Sequence, residues 1–97
     1  MPAPKGPDTP APGYTVSVLR DAMRILGRLD RRTQKRLADA VEQMATDPFK
    51  GDVRPLAGEP DAYRRRVGDW RVLFRVDQAT HAVTVYRIGP RGDVYGR

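Results

Sequence analysis

Gly68-Asp69 stands between two runs of strand-like sequence, AYRRRV at 62–67 and WRVLFRV at 70–76. A two-residue link with glycine first suits a type I′ or II′ hairpin turn, because glycine takes positive φ without a Cβ clash. If these two residues are the loop, the register of both strands follows. Val67 faces Trp70, Arg66 faces Arg71, and Arg64 lies beside them on the same side. Three arginines then share one face of a sheet, with Cβ atoms about 5–8 Å apart. Tyr63, Val67, Trp70, Val72 and Phe74 fall on the opposite face and supply a core. Arg65 falls among them and fits only at an edge, where its stem is buried and its head escapes. Opposed like charges destabilise a hairpin, so the cluster requires either an anion or a different register.

Upstream, residues 14–19 alternate apolar and polar, the period of a half-buried strand. Ala22, Ile25, Leu26 and Leu29 then recur at helical spacing. Asp30 is a candidate N-cap for a second helix, which carries Leu37, Ala40, Val41 and Met44 on one face. Asp47-Pro48 ends that helix near Thr46. Residues 48–61, PFKGDVRPLAGEPD, read as a loop, and a third strand-like run spans 82–88 after the polar stretch 77–81. The expected order is β-α-α-β-β-β, an α+β fold with a helical hairpin packed on a mostly antiparallel sheet. Residues 1–13 hold five prolines and almost no large apolar side chain. They are expected to form a disordered, partly polyproline-like arm preceding one domain over 14–97.

Charge is divided unevenly along the chain. Residues 1–62 hold ten Lys/Arg against nine Asp/Glu, whereas 63–97 hold eight Arg, no Lys and three Asp. A basic field concentrated in the last third suits a phosphate backbone or another polyanion. The absence of cysteine excludes disulfides, a thiolate nucleophile and cysteine-ligated zinc. His81 is the sole histidine and reads as a solvated loop residue, which removes histidine acid–base chemistry. Asp69, Asp77 and Asp93 are scattered over turns and do not make a metal-ion nuclease site. No cofactor is expected. No stretch approaches the ~18 apolar residues of a membrane span, and a cytoplasmic location is expected.

The run Tyr63-Arg64-Arg65-Arg66-Val67-Gly68-Asp69-Trp70-Arg71-Val72-Leu73-Phe74, with Pro55-Leu56-Ala57-Gly58 before it and Ile88-Gly89-Pro90-Arg91 and Val94-Tyr95 after it, resembles the RelE branch of the RelE/ParE toxins. The resemblance extends over residues 14–95. It implies a bacterial or archaeal toxin, monomeric when free, neutralised by a cognate antitoxin, and acting on messenger RNA in the ribosomal A site. The family's basic catalytic positions match Arg64, Arg66, Arg71 and Arg91, and its tyrosine matches Tyr95. Arg75 and Arg87 are further candidates for RNA binding. The implied reaction is attack of a ribose 2′-OH on the adjacent phosphate, giving a 2′,3′-cyclic phosphate and a 5′-OH. Arginines would hold the phosphate and neutralise charge in its transition state, while Tyr95 would stack on a base or help move the 2′-OH proton.

Three positions depart from the family pattern: Pro90 and Gly92 stand where basic residues are usual, and Arg65 replaces an apolar one. Two alternatives to the ribosome-dependent endoribonuclease stay open: a ParE-like toxin that poisons gyrase, a branch that typically lacks the full basic set plus tyrosine, and a non-catalytic module that binds nucleic acid or antitoxin, which the Pro90 and Gly92 changes keep open. Whichever holds, the arm has little to dock. Deleting residues 1–13 is expected to shift Tm by no more than about 1 °C, where a loss of 1 kcal/mol would appear as about 4–8 °C in a domain this size. A thermal melt of the truncated chain checks this.

Overall fold

A computed structural model describes residues 13–91 of the 97. The expected arm over 1–13 therefore lies outside the described residues except for Gly13, and so do Gly92 and Tyr95. The elements are β1 (Thr15–Val18), α1 (Arg20–Gly27), α2 (Arg31–Gln43), β2 (Val53–Pro55), β3 (Ala62–Val67), β4 (Trp70–Asp77) and β5 (Ala82–Pro90). The strands form one sheet in the order β1-β5-β4-β3-β2, with β1 parallel to β5 and every other neighbour antiparallel. The expected α+β architecture is the one observed.

The core lies between the helices and one face of the sheet. Leu37 and Met44 from α2 and its C-cap are fully enclosed with Val72, Phe74, Val83 and Val85 from β4 and β5, and Ala22 of α1 joins them. These helical positions are the ones the 3.6-residue period selects, which is why the short helices fold here: packing supplies stability that eight and thirteen residues cannot supply alone. Asp30 caps α2, its carboxylate accepting from the Thr33 N–H at 3.1 Å. That hydrogen bond holds the Asp30 carboxyl below its ordinary pKa. Its contribution is therefore present above the unfolded value and fades as pH falls through the lower folded one. At the other end the Asp47 carboxylate accepts from the Phe49 N–H at 3.0 Å, turning the chain out of the helix.

β1 is held at the sheet's edge by the Leu19 N–H donating to the Val85 carbonyl, 2.9 Å, and by Tyr14. The Tyr14 ring stacks on His81 with centroids 4.6 Å apart, and its hydroxyl donates to Gln78 at 2.9 Å. The histidine is thus half-buried and occupied with closing the β4–β5 connection, where its φ is 54°.

Two features differ from the sequence expectation. The segment read as a loop over 48–61 contains β2, a three-residue edge strand that pairs Arg54 with Arg64 and ends in Pro55, which edge strands tolerate. The run expected over 82–88 continues to Pro90 and carries an irregularity. Leu73 pairs with Arg87 and Phe74 with Val85, leaving Tyr86 as the extra residue of a β-bulge.

Phe74 sits at the middle of the core with no exposed surface. Phe74→Ala is expected to cost about 3–5 kcal/mol, a large share of the ~5–15 kcal/mol available to a domain. In urea melts the midpoint falls with an unchanged slope.

Candidate functional site

The β3–β4 hairpin has the register that the sequence implies: Val67 pairs with Trp70, Arg66 with Arg71, Arg65 with Val72 and Arg64 with Leu73. Gly68 has φ +59° and Asp69 does not share the positive sign, which matches the II′ alternative. A Cβ at Gly68 would lie 3.0 Å from the mobile end of the Arg36 side chain, which can give way, so it is the positive φ that makes glycine the suitable residue.

Arg66 sends its backbone N–H to the Asp52 carbonyl, 2.9 Å away on the β2 side. It therefore forms a non-hydrogen-bonded pair with Arg71 across β3–β4, the class in which side chains stand closest. The two arginines differ in their surroundings. Arg66 is exposed, whereas Arg71 is only 8% exposed. The Arg71 Nε and one terminal nitrogen are enclosed with no hydrogen-bond partner among the described residues. A buried guanidinium without an acceptor is costly unless something anionic completes it.

The bulge at Tyr86 decides what joins this pair. Val83 and Val85 point into the core, and strict alternation would turn residue 87 inward after them. The extra residue resets the phase. Ile88 takes the core position opposite Val72, and Arg87 and Gly89 pass to the arginine face opposite Leu73 and Arg71. Gly89 puts no side chain opposite Arg71. Arg91 follows two residues later, its N–H donating to the Asp69 carbonyl at 2.8 Å, so the hairpin turn fixes its backbone. Alternation places Arg91 on the face of Arg87 and Gly89.

Arg64, Arg66, Arg71, Arg87 and Arg91 are thus brought to one side of the sheet. Arg64 has a 13% exposed side chain and forms a 3.4 Å ion pair with Asp52. Arg75 shares the face but is engaged, donating to Glu59 and to the Pro60 carbonyl at 3.0 Å each and lying 5.3 Å from the centre of the Tyr86 ring. Burial raises the Tyr86 phenol above its ordinary pKa, with Arg75 pulling the other way, so it stays protonated near neutral pH. Tyr95 lies outside the described residues.

Arg65 points to the helix side. It donates to Gln43 Oε1 at 2.9 Å and to the Ala40 carbonyl at 3.4 Å, at the C-terminal end of α2, where a cation complements the helix dipole. Burial lowers its pKa from the ordinary value, and it remains a cation at neutral pH. The expected edge position is not the one found: β2 lies outside β3, and Arg65 takes its exit over the end of α2. Arg54 was not among the sequence candidates. The register of β2 places it opposite Arg64 on the arginine face, and nothing in the loop-like sequence around it signals that pairing.

Among the described residues no group of acidic or histidine side chains is arranged to hold a metal ion, and no helix is long and apolar enough to cross a membrane. The chemistry offered by this face is cationic: multidentate hydrogen bonding to an anion in a partly desolvated setting. Arg71→Met is expected to raise Tm by several degrees, since replacing a buried charge that lacks partners among the described residues with an apolar side chain of similar length is often stabilising, and about 1 kcal/mol is 4–8 °C here. Thermal melts of the two proteins check the sign.

Comparison with known proteins places this geometry. A family model described as the ParE toxin of the parDE type II toxin-antitoxin system matches residues 14–95. No curated protein matches the chain. Among solved structures, the archaeal RelE in a RelE–RelB complex from Pyrococcus horikoshii is 26% identical, with a TM-score of 0.75 over 84% of this chain and 99% of that one. The RelBE2 toxin-antitoxin complex from Mycobacterium tuberculosis is also 26% identical, with a TM-score of 0.72 over 81% and 99%. A YoeB/ParE toxin from Agrobacterium tumefaciens, 19% identical with a TM-score of 0.68 over 80% and 99%, shares the fold.

Proposed function

Since the chain belongs to the ParE toxin family of type II toxin-antitoxin systems, we propose that it is a toxin acting as a metal-independent endoribonuclease on messenger RNA in the ribosomal A site. The observation that carries this reading is Arg71, a buried guanidinium with two nitrogens that find no acceptor among the described residues, paired with Arg66 and flanked by Arg64. A gyrase-binding surface needs complementary contacts but no such stored, unsatisfied cation. A phosphate is complementary to one.

In the proposed reaction the scissile phosphate sits against Arg66 and Arg71. The 2′-oxygen of the preceding ribose attacks phosphorus, its proton leaves, and the bond to the 5′-oxygen breaks. The products are a 2′,3′-cyclic phosphate and a 5′-OH, which takes up a proton. Charge gathers on the non-bridging oxygens as phosphorus becomes five-coordinate, and the preorganised guanidiniums act there at low reorganisation cost. Arg64 and Arg91 extend the field, and Arg87 contacts the RNA on the β5 side. Arg75, tied to Glu59 and Pro60, contributes field more than contact. Tyr95 supplies a base stack or helps pass the 2′-OH proton to water. Arginine is a poor proton donor because its pKa exceeds about 12, so water is the better donor to the leaving oxygen.

The ParE-like reading has two observations in its favour, the family model itself, which describes the toxin of parDE, and Pro90 in place of a basic residue beside Arg91. The cognate antitoxin is proposed to seat a segment in the groove of about 370 Å³ between α1 and β5, lined by Ile25, Tyr86 and Ile88. Leu19 and Met23, about half exposed on the adjoining surface, provide apolar anchorage.

Arg71→Ala is expected to lower cleavage on programmed ribosomes by about 10²–10³, the usual loss for one oxyanion-type contact, while ribosome affinity changes far less. Arg71→Lys restores only part, because a point charge lacks the bidentate grip. Primer extension on the message reads discrete cuts, and a 2′-deoxy sugar 5′ of the cut abolishes them. Ordinary cleavage of that deoxy substrate, or equal losses of binding and cleavage in Arg71→Ala, overturns the mechanism.

A further inference from the structure

β2 brings to the arginine face a residue that the proposed chemistry does not use. Arg54 pairs with Arg64 across β2–β3, and Arg64 pairs with Leu73, which pairs with Arg87. The result is a row running across four strands, Arg54, Arg64, Leu73 and Arg87, beside the shorter row of Arg66, Arg71 and Gly89. Arg54 is exposed and makes no ion pair with a described residue. Asp52, two residues before it and hence on its face, has its carboxylate 3.4 Å from Arg64. Its side chain is 47% exposed. The contact is long and its carboxylate side is half open to solvent while Arg64 is largely covered, so an incoming anion can reach the ion pair from the Asp52 side and compete with that carboxylate.

We propose that Arg54 and Arg64 form a second phosphate subsite at the β2 edge, taking a nucleotide neighbouring the scissile phosphate, with Asp52 as its exchangeable counter-ion. The inference rests on the RNA reading and specifies how the strand is tracked. Arg54 lies two strand spacings across and two residues along from Arg71, about 12 Å away, so it addresses a different phosphate from the one at Arg66 and Arg71. Asp52 sets the threshold of the subsite. It keeps Arg64 in place when no RNA is bound and penalises loose anions that cannot also engage Arg54. An acidic peptide is the less suitable occupant. The row presents no exposed apolar side chain, Leu73 being 5% exposed, and a folding peptide segment needs apolar anchors.

The test uses the purified full chain and a fluorescein-labelled 2′-O-methyl RNA hexamer, which cannot be cut by 2′-OH attack. Binding is titrated between 50 and 200 mM salt, about the range over which counter-ion release is large. Arg54→Ala is expected to reduce the log–log salt slope by about 0.7, the value for one phosphate contact on a single strand, whatever the hexamer's sequence. Arg54→Lys retains the slope. Asp52→Asn tightens binding several-fold. Far-UV circular dichroism and Tm confirm that these exposed-edge variants fold. An unchanged slope in Arg54→Ala overturns the subsite, as does Asp52→Asn that binds no tighter. So does an Arg54→Ala that loses affinity for an acidic Glu-rich peptide while keeping the hexamer. Arg71→Ala on programmed ribosomes serves as the separate arm: loss of cleavage there with an unchanged Arg54 slope rejects the subsite alone, whereas retained cleavage rejects the endoribonuclease reading beneath it.

Discussion

Arg66 and Arg71 face each other across the closest class of strand pair, and most of what this protein can do follows from the sheet holding them there. Left to themselves two guanidiniums in that position repel. The apolar layer on the opposite side supplies the opposing free energy: Val72 and Phe74 are locked among Leu37, Met44, Val83 and Val85, and their burial fixes β4 in register. A slip of one residue would send Phe74 to the arginine face and Arg71 into the core. The cost of that slip is far larger than the cost of the repulsion, so the strained pair persists.

Around the pair the fold arranges cations in graded exposure. Arg71 is enclosed, Arg64 is nearly so, and Arg54, Arg66, Arg87 and Arg91 are open to solvent. A phosphate entering such a field meets mobile charges first and the desolvated guanidinium last, where electrostatic interactions are strongest. Arg65 and Arg75 have the same side chain and a different job. One complements the end of α2, and the other ties the 56–61 segment to β4 through Glu59 and Pro60. Eight arginines in the last third of the chain are therefore not eight equivalent contacts for an anion.

The expectation of a toxin fold with a helical hairpin on a sheet agrees with the family match and with the solved RelE structures. That much was legible because each element announces itself locally. The caps at Asp30 and Asp47-Pro48, the helical stripe from Leu37 to Met44 and the Gly68-Asp69 turn all act over a few residues. β2 was not legible. Three residues ending in proline have no periodicity to read, and Arg54 becomes a strand residue only because β3 offers it a partner.

The sequence by itself determined the β3–β4 register, since a two-residue turn and period-2 alternation leave no freedom in how Arg66 meets Arg71. It also determined the helices, their polarity and the side of each that is buried. Only the tertiary structure decided which way β5 faces. From Val83 and Val85 alone, alternation would have aimed Arg87 into the core, yet the bulge at Tyr86 reverses the phase and delivers Arg87 to the arginine side. It likewise decided that Arg71 is the enclosed member of its pair and Arg66 the open one. A turn is settled by the dihedral preferences of the residues in it. A bulge and a burial depend on what neighbouring strands and helices press against, and those neighbours are distant in the chain.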